Sequence, residues 1–429
     1  MAPNNTLENI LRLTRRFIPR RIFLFTQPSY HYLLAFASAV LYRFPSRHIK
    51  IVVITGTKGK TSTTEIVNAL LEGAGFKTAL ASTLRFKIGD KEERNLFKMT
   101  IPGRFFLQKF LRRAVDAKCD WVVMEMTSEG AKVFRHKFIE YNALVITNLS
   151  PEHIESHGSF ENYKKAKLSI AEALAHSSKR PRIIIANNDD TYAQEFLAID
   201  ADIKSAHAIK DAEPYTLEKD ATTFMFEGSP LTICIPGIFN LSNALAGIAF
   251  ARAVGIAPHA IRNALQNFHG TRGRVEKITC GQDFDVVVDY AHTADSLEKL
   301  YGVFPNSRKI CVLGGTGGGR DSAKRSVMGS IADKHCDEII LTDEDPYDED
   351  PVNIVNDIKN GITKIKTEVI LDRRNAILSA LKRARTGDAV LITGKGTDPY
   401  IMGPNGTKTP WDDATVAREE LMNIGFSKN

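Results

Sequence analysis

The chain has 429 residues, of which 43% are hydrophobic and 25% charged, so it is long enough for two or three domains with sizeable cores. This composition is ordinary for a soluble globular protein, and we find neither internal repeats nor low-complexity segments. The five cysteines, at positions 119, 234, 280, 311 and 336, include no C-x-x-C spacing. We therefore expect reduced thiols in a cytoplasmic protein, with neither a zinc site nor disulfides.

The positive charge of the chain is confined to its N-terminal segment. Residues 1–50 contain eight basic residues and one acidic residue, and the resulting +7 equals the formal charge of the whole chain. This distribution argues against a nucleic-acid-binding surface across the protein. Two alternatives stay open for the segment: a solvated arm, or weak contact with an anionic partner. That partner is either a substrate phosphate or a membrane surface beside the apolar stretch 30–42.

No bilayer-spanning segment or cleavable signal is expected from the same region. The stretch 30–42 is too short to cross a bilayer, which takes about 20 apolar residues as a helix. Arginines interrupt every earlier apolar run, which disfavours a signal peptide.

Strand and helix patterns alternate along the rest of the chain. Buried parallel strands are predicted at 50–55, 121–126, 143–149 and 182–187, with helices at 62–74, 104–117 and 161–175. A second strand series is predicted at 285–290, 309–314, 338–343, 368–372 and 389–394. The sequence thus predicts an α/β protein in three parts: a short helical segment (1–48), a P-loop central domain with a doubly wound parallel sheet (49–270), and a C-terminal Rossmann-like domain (271–429).

The stretch VVITGTKGKTSTTEI is typical of a phosphate-binding loop. An apolar strand runs into a glycine turn, and the turn runs into a helix whose N-terminus attracts anions. The first glycine of the common pattern is replaced by Ile54. Gly56, Gly59 and Lys60 can place amides and an ammonium on the β- and γ-phosphates, and Thr61 can offer its hydroxyl to Mg²⁺.

Further polar residues follow the next two predicted strands. Glu125 ends the second strand, where a parallel sheet presents its ligand crevice, so it suits Mg²⁺; the alternative is an exposed strand-end acid. His153, His157 and Lys167 lie shortly after the third strand. A lone histidine is more often structural, so spacing alone does not assign them.

A series of motifs then occurs in a fixed order over residues 48–420. They are TGTKGKTST, EMTSEG, TNLSPEHIESHGSFENYKKAK, NNDD, GIFNLSNALAGIAFA, GTRGRVE, DYAHTADSLEKL, GGTGGGRDSAKRSVMG and GKGTDPY. In this order they resemble the Mur ligase family, and most closely its MurE type. The phosphate loop of that family likewise lacks the distant first glycine.

The resemblance implies an ATP-dependent amide ligase that works through an acyl phosphate. The implied cofactors are ATP and two Mg²⁺ ions, and the implied partners are a small-molecule acceptor carboxylate and an amino acid. The first interpretation is amino-acid addition to a peptidoglycan precursor. The second is the same chemistry on another carboxylate, as in folylpolyglutamate and cyanophycin synthetases. The third is a non-catalytic ATP-binding scaffold, which the intact Lys60, Thr61, Glu125, His153 and Lys167 disfavour.

The resemblance also implies site residues. The implied nucleotide site comprises Gly56, Thr57, Lys58, Gly59, Lys60, Thr61, Ser62, Asn240, Asn243, Arg274 and Asp289. The implied catalytic residues are Lys60, Glu125, His153, Lys167 and Arg320, and the implied Mg²⁺ ligands are Thr61, Glu125, His153 and Lys167. The implied substrate residues are Thr100, Ser128, Asp345, Tyr347 and Asp398. Lys167 is expected to be carbamylated, because an anionic carbamate ligates Mg²⁺ whereas an ammonium repels it.

Several of these positions have alternative or less defined roles. The alternative role of Asn240 is to cap a helix, and the alternative for Asp289 is an acid at the end of a strand with no ligand. Tyr290 and His292 share a motif with Asp289, with less defined roles. A basic run after the glycines at 314–319 is expected to face the reacting carboxylate or phosphate on closure; it comprises Arg320, Asp321, Lys324 and Arg325.

Departures from the MurE pattern concern the substrates. The family motif Asp-Asn-Pro-Arg is replaced by Glu344-Asp345-Pro346-Tyr347, so the arginine that would clamp a carboxylate is absent unless Arg320 or Arg374 replaces it. Asp398 keeps an acid near the C-terminus. We therefore predict an acidic pocket that prefers a neutral or cationic amino acid, with lysine ahead of diaminopimelate. About 48 residues stand where the family has a uridine-binding domain, which predicts a phosphate-bearing or muropeptide acceptor held with little uracil recognition.

Overall fold

The computed structural model describes residues 20–152, 154–319 and 322–427. His153, Arg320 and Asp321, to which the resemblance gave roles, lie outside the described residues, as does the start of the N-terminal segment.

The first half of the chain forms an eight-stranded sheet. Its strands are β1 (Lys50–Thr55), β2 (Thr78–Ala81), β3 (Arg85–Ile88), β4 (Lys91–Arg94), β5 (Trp121–Glu125), β6 (Ala143–Ile146), β7 (Ile183–Asn187) and β8 (Ile203–His207). They are ordered β4-β3-β2-β5-β1-β6-β7-β8, and all pairs are parallel except β2–β3 and β3–β4. We call residues 49–270 the central unit.

Helices cover both faces of this sheet. They are α1 (Arg20–Leu41), α2 (Lys60–Gly73), α3 (Arg104–Asp116), α4 (Ser128–Lys132), α5 (Ile154–His157), α6 (Phe160–Ala175), α7 (Ala193–Leu197), α8 (Ile238–Ala253) and α9 (Pro258–Gln266). Val52 and Ile54 of β1 pack with α2, α8 and α9, whereas Ile51 and Val53 pack with α3 and α6. Because successive side chains of a strand point to opposite faces, a strand covered on both sides must be apolar throughout, as β1 is.

A second sheet forms the C-terminal unit, residues 271–427. Its strands are β12 (Glu276–Lys277), β13 (Asp285–Asp289), β14 (Lys309–Leu313), β15 (Glu338–Leu341), β16 (Thr367–Val369) and β17 (Ala389–Thr393), and its helices are α10 (Ala294–Tyr301), α11 (Ala323–His335), α12 (Pro351–Lys359), α13 (Arg373–Arg383) and α14 (Asp413–Asn423). The order is β12-β13-β17-β14-β15-β16, parallel except at β12. The predicted α/β fold class is confirmed.

Small antiparallel sheets accompany the two large ones. One consists of β9 (Tyr215–Leu217), β10 (Thr222–Phe226) and β11 (Ser229–Ile233), and the other of β18 (Tyr400–Met402) and β19 (Lys408–Pro410). Neither belonged to the predicted strand series.

The expectation that the chain has no disulfide is wrong for one pair of cysteines. Cys311, in the middle of β14, is bonded to Cys336, which caps the C-terminus of α11. The crossover from β14 to β15 returns α11 over the sheet, and this brings two cysteines together that are 25 residues apart in sequence. Cys119, Cys234 and Cys280 are free thiols.

The N-terminal helix α1 packs on the central unit through aromatic contacts. Tyr32 and Phe36 meet the ring of Phe138 at centroid distances of 5.0 and 5.3 Å, and Tyr32 also contacts Phe134. Its outer face remains apolar, with Leu33 and Leu41 each 63% exposed. Among the described residues, no helix is long and apolar enough to cross a membrane.

Candidate active site

The phosphate loop connects β1 to α2 and keeps the geometry of an anion-binding turn. Gly59 caps α2 with φ +80°, and a Cβ at this position would lie 2.3 Å from Oδ1 of Asn243. Only glycine therefore fits here, for both space and backbone conformation. The Lys60 ammonium donates to the carbonyls of Gly56 and Thr57 at 2.9 and 2.8 Å. Burial lowers the pKa of Lys60, and the nearby cations Lys58 and Arg274 lower it further. The carboxylates of Glu125 and Glu152 act in the opposite direction but do not outweigh burial.

Two residues that sequence reasoning missed hold this loop in place. The Asn148 side chain accepts a hydrogen bond from the Lys58 amide at 2.9 Å and donates to the Lys58 carbonyl at 3.1 Å. The Lys58 ammonium lies 2.6 Å from the carboxylate of Glu152. Asn148 lies near the end of the third predicted strand (143–149), so its place beside the end of the first strand was a usable signal.

Glu125 is fully buried at the end of β5 and faces the start of α2. It accepts hydrogen bonds from the Thr61 hydroxyl at 3.2 Å and from the Thr83 amide and hydroxyl at 2.9 and 3.0 Å. Thr83 also contacts the hydroxyl of Thr100 at 2.9 Å. Burial raises the pKa of Glu125 against these hydrogen bonds and the attraction of Lys60. The alternative of an exposed strand-end acid is wrong.

Lys167 projects from α6 to the same loop. Its side chain is 1% exposed, and its amine donates to the Gly56 carbonyl at 2.6 Å. Burial, with added repulsion from Lys60, lowers the pKa of Lys167 well below its ordinary value. Lys60 and Lys167 therefore share one acceptor, and the structure brings both predicted lysines to the phosphate loop.

The asparagines of α8 lie on the other side of the loop. Asn243 accepts from the Thr63 hydroxyl at 3.2 Å and lies against Gly59, while Asn240 donates to the Pro236 carbonyl at 2.8 Å. The two side chains are in contact at 3.4 Å. Asn240 is not the N-cap of α8, because Gly237 occupies that position.

The C-terminal unit contributes charged and aromatic groups near the phosphate loop. Asp289 accepts from the amides of Val275 and Ala291 at 2.7 and 2.6 Å, and burial raises its pKa. The Arg274 guanidinium stacks over the Tyr290 ring at 4.4 Å. His292 contacts the Tyr290 carbonyl at 2.7 Å, and burial, followed by repulsion from Lys58 and Lys324, lowers its pKa to about 3.

The predicted substrate residues of the central unit, Thr100 and Ser128, have different partners. Thr100 is linked to Glu125 through Thr83, as described above. Ser128 starts α4, and its hydroxyl lies 3.1 Å from Nε2 of His157. His157, which spacing alone could not assign, is therefore a partner of the predicted substrate residue.

The predicted substrate residues of the C-terminal unit form a separate pocket. Asp345 and Asp398 both bind the ammonium of Lys395, each at 3.0 Å. The ammonium of Lys98, from the central unit, lies 2.5 Å from Asp345 and 3.7 Å from Asp398. Tyr347 is close by, since the Lys98 ammonium is 5.7 Å from its ring centroid. The pocket has three acids, Glu344, Asp345 and Asp398. Lys395 and Lys98 offset two of them, so the excess of acids is smaller than the sequence alone predicts.

Two arginines predicted near the reacting groups have structural partners instead. Arg325 is 1% exposed, and it pairs with Glu349 and Asp357 at 2.6 and 2.8 Å. Arg374, considered as a substitute clamp, pairs with Glu419 and Glu420. Lys324 does face the site, because its ammonium lies 3.5 Å from the His292 carbonyl.

Comparison with known sequences gives matches over both units. Residues 54–251 match the Mur ligase middle domain, and residues 273–396 match the glutamate ligase domain of Mur ligases. A UDP-N-acetylmuramoyl-L-alanyl-D-glutamate–2,6-diaminopimelate ligase of Syntrophomonas wolfei is 37% identical over 413 residues, covering 93% of this chain and 83% of the relative. A UDP-N-acetylmuramyl-tripeptide synthetase of Roseiflexus is 34% identical over 426 residues, covering 93% and 84%.

A solved structure supports the same fold. It is a UDP-N-acetylmuramoyl-L-alanyl-D-glutamate–2,6-diaminopimelate ligase with a TM-score of 0.62 and 24% identity, covering 88% of this chain and 79% of the other. The two domain matches occur in the order of the two sheets, and the sequence relatives span nearly the whole chain. The chain therefore belongs to the Mur ligase family, as an ATP-dependent amino-acid ligase of the MurE type.

Proposed function

We propose that this ligase adds diaminopimelate to a muramoyl-peptide precursor of peptidoglycan at the expense of ATP. The observation that carries the proposal is the convergence of Lys60, Lys167 and Glu125 on the phosphate loop. The relatives named above supply the substrate class, since one is a diaminopimelate ligase and the other a tripeptide synthetase acting on UDP-N-acetylmuramyl substrates by name.

The chemistry proceeds in two displacements. A carboxylate oxygen of the acceptor attacks the γ-phosphorus of ATP, ADP leaves, and an acyl phosphate forms. The amine of the incoming amino acid then attacks the acyl carbon and releases inorganic phosphate. Both steps need alignment and neutralisation of charge more than side-chain acid–base chemistry. Lys60 supplies this neutralisation, because its ammonium can exchange the carbonyls of Gly56 and Thr57 for phosphate oxygens.

The residues around Thr61 fit a hard divalent cation. Glu125 is a buried carboxylate. Among the described residues, no arginine or lysine forms an ion pair with it, and the Thr61 hydroxyl lies beside it. A carboxylate and a hydroxyl are oxygen donors of the kind that Mg²⁺ prefers. We propose that Thr61, Glu125, His153 and a carbamate on Lys167 hold Mg²⁺, which when bound neutralises phosphate charge.

The environment of Lys167 favours its carbamylation. Carbamate formation requires an uncharged amine, and burial, which lowers the pKa of Lys167, favours that uncharged form. The neutral amine attacks CO₂ and loses a proton, and the lysine becomes an anion. In that form it would attract Mg²⁺ instead of repelling it.

A group of basic side chains beside the Thr100 loop suits a phosphate-bearing acceptor. Arg104 starts α3 four residues after Thr100, and electrostatic repulsion couples it to Arg135 and His31. Within the described residues, Nδ1 of His31 and Nε of Arg104 are buried without a hydrogen-bond partner. Burial, followed by Arg104 and Arg135, lowers the pKa of His31 to about 4, so the two arginines supply the charge and His31 a neutral ring. We propose that this cluster, His31, Arg104 and Arg135, binds an acceptor phosphate with little recognition of uracil.

The two lysines of the second pocket weaken the reason to prefer lysine as the amino acid. The acids alone would repel a second carboxylate on the amino acid, whereas the pairs with Lys395 and Lys98 reduce that repulsion. Diaminopimelate therefore replaces lysine as the proposed amino acid.

The experiment is ADP release measured with UDP-N-acetylmuramoyl-L-alanyl-D-glutamate and diaminopimelate, in competition with UDP, UMP and pyrophosphate. We expect ADP release that requires both substrates, with pyrophosphate inhibiting at least as strongly as UMP. A lack of amino-acid-dependent ADP release overturns the proposed reaction. Much stronger inhibition by UDP than by pyrophosphate would agree with the proposed reaction but show that the protein recognises uridine.

A further inference from the structure

An antiparallel hairpin of the central unit touches the C-terminal unit. The hairpin is β3–β4, and Arg94 at its end donates to the carbonyls of Thr397 and Trp411 at 2.7 and 3.2 Å. The same guanidinium lies 2.9 Å from the carboxylate of Asp412. These contacts attach the hairpin to the two loops of the C-terminal unit that border the Asp345 pocket.

Lys98 follows four residues after Arg94 and enters the pocket itself. Besides Asp345 and Asp398, its ammonium lies 3.4 Å from the Tyr400 carbonyl, and the side chain is 15% exposed. Lys98 has φ +53°, and Tyr347 on the opposite wall has the same value. A positive φ is uncommon for residues other than glycine, and such residues concentrate where the surroundings hold a functional group in place.

Lys98 differs in origin from the other charged groups of the pocket. Asp345, Lys395 and Asp398 belong to the C-terminal unit, and together they carry one net negative charge. Glu344, also from that unit, is 3% exposed and accepts from Thr316, and burial raises its pKa. Acids therefore outnumber cations among these groups of the C-terminal unit, and Lys98 from the central unit reduces that excess.

We propose that Lys98 is a specificity-determining residue for the amino acid, and that closure of the two units inserts it into the pocket. This inference rests on the proposed function, because it takes the Asp345 pocket as the amino-acid site. When the units separate, the pocket carries a net negative charge and suits a side chain that ends in an ammonium alone. When they close, Lys98 adds the cation that a distal carboxylate requires.

The test compares amino acids in the full-length enzyme. Lys98→Gln removes the charge, Lys98→Arg retains it, and Lys91→Gln removes an exposed charge from the same hairpin as the matched control. We expect Lys98→Gln to raise the KM for diaminopimelate about tenfold, the size of a lost partly buried charge contact. The KM for lysine should change less, so that the ratio of the two kcat/KM values shifts towards lysine. Lys98→Arg should restore most of the preference, and Lys91→Gln should match the wild type.

A second measurement reports on closure without turnover. Small-angle X-ray scattering of the substrate-free protein should give a larger radius of gyration for Lys98→Gln than for Lys98→Arg or the wild type. The proposal is overturned if Lys98→Gln leaves the amino-acid preference unchanged, or if it lowers kcat equally for both amino acids. If the wild type turns over neither amino acid, the proposed function is contradicted instead. The scattering comparison then still tests whether Lys98 holds the two units together.

Discussion

The phosphate loop and the Asp345 pocket lie in two similar α/β units, yet they are assembled differently. Gly56, Gly59 and Lys60 are neighbours in sequence, and the loop acquires its shape where β1 meets α2. In the pocket, Lys98 and Asp345 are separated by 247 positions, and Asp345 and Lys395 by 50. The first site is therefore fixed by local chain geometry. The second depends on how the two units meet, so mutations should affect the two sites in different ways.

The largest expected effect is the loss of turnover in Lys60→Ala. Lys60 neutralises charge that develops on the transferred phosphoryl group, and its loss should cost several kcal/mol of barrier, roughly a thousandfold in kcat. Steady-state ADP release measures this, with Lys91→Ala as an exposed control on the central unit. A Lys60→Ala enzyme within a factor of ten of the wild type would show that the loop is not the phosphate site.

The next effect concerns Lys167→Ala, which should lose activity because the carbamate can no longer form. A short carboxylic acid such as acetate can occupy the vacated space and supply an anion, so added acetate should restore part of the activity. Lys167→Arg fills the same space with a permanent cation and should not be rescued. If acetate fails to rescue Lys167→Ala, and wild-type enzyme in ¹³C-bicarbonate gives no carbamate signal by NMR, the carbamylation proposal is contradicted.

A stability prediction concerns the buried ion pair Arg373–Asp413 behind the pocket. The two side chains are 1% and 0% exposed and are 2.7 Å apart. Arg373→Met leaves a buried carboxylate uncompensated and should lower the free energy of unfolding by about 3–5 kcal/mol. Arg373→Met/Asp413→Leu should recover much of this loss, because both charges are then removed. Urea denaturation followed by circular dichroism measures both, and equal stability of the two variants would contradict the account.

The smallest expected effect is a gain in stability for Glu125→Gln. Burial raises the pKa of this carboxyl in the folded protein, so its ionised form opposes folding above the folded pKa. Below the unfolded pKa of about 4.3 the carboxyl is protonated in both states, and this penalty disappears. We expect the substrate-free variant to be more stable than the wild type by roughly 1 kcal/mol at pH 7, while its turnover is lost. Thermal unfolding between pH 4 and pH 8 tests this; a gain that grows towards low pH would contradict the sign.

The sequence predicts the central strands and the phosphate loop because local patterns encode them. Strands buried on both faces are continuous apolar runs, as β1 and β5 are. The hairpin β3–β4 was missed, because β4 is fully exposed and its residues KEER carry no apolar alternation. Thr83 and Asn148 were also missed as site residues. Each contacts a residue at the end of a different strand, so the contact depends on the order of strands in the sheet, which the sequence of one strand does not reveal.

The lysines that offset the acids of the second pocket could not be predicted for a related reason. The sequence predicts Glu344, Asp345 and Asp398 as acids of one pocket, but the cation Lys98, which pairs with two of them, lies in the other unit. Arg325, by contrast, had been placed near the reacting groups, and its acidic partners Glu349 and Asp357 come from later elements. In both cases the sequence shows which residues are charged, but it does not show which oppositely charged residues lie next to them in the fold.

The most direct test of the account is transfer of oxygen from the acceptor to phosphate. With the acceptor carboxylate labelled with ¹⁸O, attack on the γ-phosphorus makes one labelled oxygen the bridge of the acyl phosphate. Displacement by the amine then breaks the acyl carbon–oxygen bond and leaves that oxygen in inorganic phosphate. The account predicts one ¹⁸O per phosphate released, in the presence of both ATP and amino acid. Unlabelled phosphate formed together with amide product would contradict the acyl-phosphate route.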